Sequence, residues 1–86
     1  MKYSVVIPLY NKGNYIQKAL ESVLKQTCQD FEILVVDDGS TDHSLEAARA
    51  VRSDKIRIIT QPNQGVAVAR NTGIDQAKGA YIAFLD

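Results

Sequence analysis

Four short apolar runs alternate with amphipathic stretches along this chain. Tyr3 to Leu9 carries Val5, Val6 and Ile7 and predicts a strand, with Pro8 tolerable only near its end. Asn11-Lys12-Gly13-Asn14 predicts a turn that offers Asn14 as a helix N-cap. Ile16, Ala19, Leu20, Val23 and Leu24 then recur at helical spacing. Phe31 to Val36 predicts a second strand, and the unbroken run Ile33 to Val36 marks one covered on both faces. Ser40, Thr41 or Asp42 can cap a second helix bearing Leu45, Ala48 and Val51. Ile56 to Thr60 predicts a third strand, whose Arg57 between two isoleucines suits a sheet edge. After the loop Gln61-Pro62-Asn63-Gln64-Gly65, a third helix is expected over Val66 to Ala77 with Gly79 as its C′ residue. Tyr81 to Leu85 predicts a fourth strand, ended by Asp86.

Strands alternating with helices imply a parallel sheet with right-handed crossovers. No repeat, linker or low-complexity tract divides residues 1–86, which form one unit. A strand as apolar as Tyr81 to Leu85 reads as interior. As the last strand it leaves an apolar edge that invites pairing with a second copy into a homodimer. The chain therefore reads as the N-terminal part of a longer fold.

Charge narrows the function classes. Ten Lys and Arg balance ten Asp and Glu, and the basic residues are dispersed. That leaves no electrostatic footprint for nucleic acid. Cys28 is the only cysteine, so no internal disulfide forms, which fits a reducing cytoplasmic setting. Nothing beside it in sequence makes it a reactive thiol. The first apolar run, broken by Pro8, is too short for a signal-peptide core or a membrane span.

The candidate chemistry falls at strand C-termini, where open α/β sheets bind ligands. Pro8-Leu9-Tyr10-Asn11 follows the first strand, and Asp37-Asp38-Gly39-Ser40 the second. The loop 61–65 leads into Arg70-Asn71, and Asp86 ends the fourth strand. Carboxylates accept from base or sugar N–H and O–H groups and hold Mg2+ or Mn2+, and a guanidinium binds phosphate. A nucleoside diphosphate uses all of these. Read singly, the positions have plainer uses: Asp37 in an Asx turn, Arg70 on a solvated helix face, Asp86 as a strand cap, and Tyr10 and Asn11 as turn residues. Gly73 suits close helix–sheet packing, and His43 a surface position. Neither GxGxxG nor GxxxxGK[ST] occurs.

Taken in order, five segments resemble the family 2 glycosyltransferases across the whole chain. They are Val6 to Asn11, Ser22 to Thr27, Phe31 to Asp42, Asn63-Gln64-Gly65 with Ala69 to Gly73, and Gly79 to Asp86. The resemblance implies the nucleotide-sugar-binding half of the GT-A fold. That is a three-layer αβα, Rossmann-like parallel sheet, βαβαβαβ, with strand order 3-2-1-4. It implies that Pro8, Leu9, Tyr10 and Asn11 line the base and ribose pocket and that Asp38 accepts from a base N–H. Asp37 then braces the turn or reaches the ribose, and Arg70 lies near base and diphosphate. Asp86 corresponds to the first acid of an Asp-x-Asp motif that helps hold Mn2+ or Mg2+. The second acid and the catalytic base of the family have no counterpart in residues 1–86, so these residues alone are expected to be inactive. The implied partners are a nucleotide-sugar donor, a UDP-sugar in the first instance, and a saccharide or lipid-linked acceptor. The implied activity is inverting hexosyl transfer in cell-surface polysaccharide synthesis, in the cytoplasm and peripheral to the inner face of the membrane. Paired acids after a parallel strand also fit a receiver-like, Mg-binding phosphoacceptor domain, although no lysine follows a late strand.

Overall fold

The computed structural model describes residues 1–85. Strands β1 (Tyr3–Leu9), β2 (Phe31–Asp38), β3 (Ile56–Gln61) and β4 (Tyr81–Phe84) form one parallel sheet in the order β3-β2-β1-β4. Helices α1 (Gly13–Leu24), α2 (Ser44–Ala50) and α3 (Val66–Gln76) provide the crossovers. The β-branched run of β2 fits a pleat packed on both sides, and all eight of its residues are buried. Strand alternation divides the core. Ile7, Leu9, Ile33 and Val35 pack with Ile16, Leu20, Ala47 and Ala48 of α1 and α2, while Val6, Leu34 and Val36 meet Ala69 of α3. This is the expected three-layer arrangement and strand order, with β3 at one edge as Arg57 suggested.

Several local expectations are corrected. Helix α1 begins at Gly13, so Asn14 lies inside it and is not the cap. The amides at its start are met from the β2–α2 loop and the first residue of α2 instead: Lys12 N donates to Ser44 Oγ at 2.9 Å and Gly13 N to Asp42 Oδ2 at 3.2 Å. Helix α3 ends at Gln76, and its C-cap is Ala77, so Gly79 is not the C′ residue. Gly79 is needed for another reason, since a Cβ there would stand 2.6 Å from the Tyr3 carbonyl carbon. The apolar edge expected of the last strand is present: among the described residues β4 forms the other edge of the sheet. It pairs with β1 alone, and Tyr81, Ile82 and Phe84 are exposed. No helix among the described residues is long and apolar enough to cross a membrane.

Candidate functional site

In this strand order the chain turns back between β1 and β4, and a crevice opens at the carboxyl ends of the strands. Pro8 helps open it. Val6, of the same parity, directs its carbonyl to Leu85 N at 3.1 Å, so Pro8 faces the same side just beyond the last β4 pairing. A proline there removes no ladder bond.

A cleft of about 680 Å³ lies at this point. Pro8, Leu9 and Tyr10 form one wall, Lys12 and Tyr15 the mouth of α1, and Asp38 with Asn63 and Gly65 the floor. Val66, Ala69 and Arg70 close it from α3. The Arg70 guanidinium carbon lies 5.9 Å from the centre of the Phe84 ring, within cation–π range.

The adjacent acids Asp37 and Asp38 are separated by the pleat, which sends consecutive side chains to opposite faces. Asp38 faces α3 and is 4% exposed. Its Oδ1 accepts from Gln61 Nε2 at 2.9 Å and Gln64 N at 2.8 Å. Its Oδ2 accepts from Gly65 N at 3.0 Å and Asn63 Nδ2 at 3.3 Å. Turn-bracing therefore falls to Asp38, where the sequence pointed to Asp37. Asp37 is equally buried, and its Oδ1 has no partner among the described residues. Asp37 does not line the cleft.

Asn11 does not line it either. With φ at +50°, a conformation asparagine tolerates better than most residues, it latches two loops together. Its Oδ1 accepts from Thr41 N at 2.8 Å and Asp42 N at 3.3 Å, and its own N–H donates to Ser40 Oγ at 3.0 Å. The Ser40-Thr41-Asp42 cluster thus secures the loop that carries Tyr10 and Lys12 as well as α2, where Asp42 Oδ1 accepts from Ser44 N at 2.9 Å. Asp86 lies outside the described residues.

Lys12, Tyr15, Val66 and Ala69 join the cleft without having been assigned a role from sequence. Their signal was adjacency: Lys12 directly follows Tyr10-Asn11, and Tyr15, Val66 and Ala69 lie in the first turns of the helices that follow the loops already singled out. His43 is exposed, as expected, and its ring covers Gly13, where a Cβ would stand 2.5 Å from Nε2.

Among the described residues no group of three metal-ligating side chains converges. Asp38 already accepts four N–H donors, about the capacity of a carboxylate. The described residues therefore do not themselves fit a divalent cation, and the chemistry of the cleft is read without one.

Three carboxylates are held below the ordinary range. Burial pushes Asp38 up, but the bonds from Gln61 and from the Gln64 and Gly65 amides outweigh it. The Ser44 hydroxyl leads the lowering of Asp42. For Glu32, at the other end of β2, burial is outweighed by Ser4, Lys78 and Arg57. Each group holds a proton less tightly folded than unfolded. Its stabilisation is complete above the unfolded carboxylate value of about 4 and drains away as pH falls through the folded one. Thermal scans should show Tm falling continuously from about pH 5 towards pH 2, with a shallower slope in Glu32→Gln. A flat Tm across that window would contradict these hydrogen bonds.

The family model described as "Glycosyl transferase family 2" matches residues 4–86. An uncharacterized glycosyltransferase of Rickettsia felis is 54% identical over 86 residues, covering 99% of this chain and 14% of the relative. S. aureus TarS 1–349 in complex with UDP-GlcNAc superposes with a TM-score of 0.93 at 36% identity, covering 100% of this chain and 26% of that one. The mannosyltransferase PcManGT from Pyrobaculum calidifontis, in complex with GDP-Man and Mn2+, gives a TM-score of 0.86 at 28% identity over 94% of this chain and 26% of that one. The chain thus spans between a seventh and about a quarter of these proteins.

Proposed function

This chain belongs to glycosyl transferase family 2, and from that premise we propose that it forms the donor-binding portion of a glycosyltransferase that uses a nucleoside-diphosphate sugar. One observation carries the reading. At the switch-point crevice, a wall from β1, an acid-anchored loop and two cationic side chains converge on a single cleft. Tyr10 and Tyr15 offer rings to a base. Lys12 and Arg70 offer charge to a diphosphate. The loop 63–65, held by Asp38, presents polar groups to the base edge. The UDP-GlcNAc complex of TarS supports a UDP-sugar as the donor, and GDP-mannose is the second choice.

The reaction that suits such a donor is inverting hexosyl transfer. An acceptor hydroxyl on a saccharide or lipid-linked saccharide gives up its proton and attacks the anomeric carbon, and the bond to the diphosphate oxygen breaks. No described residue of the cleft is placed as that base, so the described residues bind the donor without turning it over. The resulting role is cell-surface polysaccharide synthesis, in the cytoplasm and peripheral to the inner membrane face. The receiver-like alternative is set aside, because the acid it would phosphorylate is enclosed by its own loop or lies off the cleft.

The test is calorimetric titration of UDP, UMP, GDP and dTDP into the chain. UDP is expected to bind saturably and more tightly than UMP, since Lys12 and Arg70 meet the second phosphate. A folded chain that binds none of the three diphosphates would refute the donor-site reading. Repeating the UDP titration with Mn2+ examines Asp86, to which any metal-dependent gain that Asp86→Ala abolishes would be assigned.

A further inference from the structure

The second buried acid on the α3 face of β2 lies at the far end of the strand from the cleft. Glu32 is 4% exposed. Its Oε2 accepts from Ser4 Oγ at 2.6 Å and from Lys78 N at 2.7 Å, and its Oε1 from Arg57 Nη2 at 3.2 Å. Ser4 Oγ accepts in turn from Gly79 N at 2.8 Å. Arg57 Nη2 also donates to the carbonyl of Gln76, the last residue of α3, at 2.5 Å. The network therefore grips the segment where α3 stops and β4 begins.

The dimensions match at both ends. Glu32 and Asp38 share a face of β2, and at ~3.3 Å per residue they lie about 20 Å apart. α3, Val66–Gln76, spans about 15 Å at ~1.5 Å per residue, and the non-helical residues 65, 77 and 78 bridge the remainder. Asp38 takes the backbone N–H groups of Gln64 and Gly65 ahead of the helix, and Glu32 takes that of Lys78 behind it. Between these grips the packing of α3 is thin. Only Ala69 and Gly73 are buried, while Val66, Val68 and Ile74 are exposed. Two small residues permit close approach to the sheet, and between the grips a side-chain bond, from Thr72 Oγ1 to Gln61 Oε1 at 2.7 Å, ties the helix to β3. Arg70 rides on this helix and lines the cleft.

We infer that Glu32 is a positioning residue for the cleft: with Arg57 it fixes where α3 lies along β2, and so where Arg70 and Val66 stand against a bound nucleotide. The inference rests on the nucleotide reading of the cleft for its ligand, though not for its effect on the helix.

The test compares wild type with Glu32→Gln, which keeps the shape and loses the charge, and with Arg57→Met, which keeps the Glu32–Lys78 bond and frees the Gln76 carbonyl. Val23→Ala, in the core beneath α1 on the other face of the sheet, serves as a destabilised comparison. UDP affinity and amide hydrogen exchange are measured at a temperature where all are folded. Glu32→Gln should weaken UDP binding about three- to tenfold and Arg57→Met about threefold, the usual range for coupling at a distance. Both should speed exchange through residues 69–73, whereas Val23→Ala should change neither readout. Unchanged affinity in the folded variants, with faster exchange confined to residues 77–79, would overturn the inference and leave Glu32 a purely local support. If Glu32→Gln fails to fold, Arg57→Met decides by the same readouts. If wild type binds no UDP, the nucleotide reading fails separately, and exchange across residues 69–73 still decides whether Glu32 positions α3.

Discussion

Asp38→Ala should weaken UDP binding by roughly tenfold or more, the scale of losing a charge-assisted hydrogen bond. Two mechanisms contribute, and they are separable. The carboxylate anchors the loop through Gln61, Gln64 and Gly65, so alanine frees two backbone N–H groups beside the cleft. The resemblance also gives it direct contact with a base N–H. With four donors already in place, such contact requires one to yield, and the weakest is Asn63 Nδ2 at 3.3 Å, which keeps its 3.0 Å bond to the Asp38 carbonyl. N3-methyl-UDP, which lacks the ring N–H, resolves the question as one arm of a double cycle. If Asp38 reads the base, methylation weakens binding to wild type but costs nothing further in Asp38→Ala. If Asp38 only holds the loop, methylation costs the same in both proteins. Wild-type affinity retained by Asp38→Ala would remove Asp38 from the site altogether.

The limits of sequence reading follow from which partners are local. Ile33 to Val36 announced a strand covered on both faces because hydropathy is a property of the run itself, and Arg57 announced the edge for the same reason. The clustering of Pro8, Leu9, Tyr10, Asp38 and Arg70 was legible because parallel strands bring all their C-terminal ends to one side. What remained hidden depends on long-range bonding. Ser4 and Lys78 are far from Glu32 in the chain, so a glutamate at the start of an apolar strand carried no visible sign of its partners. The α1 cap was sought at Asn14 because caps are usually local, yet Asp42 and Ser44 supply it from the start of α2 and the loop before it. The separation of Asp37 from Asp38 was implicit in strand alternation. Which of the two would brace the turn depended on the approach of the 61–65 loop, which periodicity does not encode.

Gly73→Ala is expected to destabilise the chain by about 2 kcal/mol net, a balance in which crowding outweighs propensity. In a solvent-facing helix alanine would gain up to about 1 kcal/mol over glycine. Here its Cβ would stand 2.3 Å from Val6 Cγ1 and 3.0 Å from Cγ2. Val6 is fully buried on β1, and a β-branched side chain has little rotamer freedom with which to retreat. Relief requires moving α3 off the sheet by about 1 Å, which also strains the bonds that Asp38 and Glu32 make to its two ends, and overpacking of this kind costs about 1–3 kcal/mol or more. For 86 residues the total stability is roughly 4–13 kcal/mol, so the loss is a large fraction of it. Urea unfolding measures the effect, and Val6→Ala supplies the control. Alone it leaves a cavity and destabilises, but combined with Gly73→Ala it removes the obstructing methyl groups, so the double variant should be more stable than the sum of the two losses predicts. Strict additivity, or a Gly73→Ala protein as stable as wild type, would mean that α3 lies farther from β1 than this packing requires. The same displacement carries Arg70 with it, so the destabilised but folded Gly73→Ala protein should also lose affinity for UDP, and Val6→Ala should restore part of both.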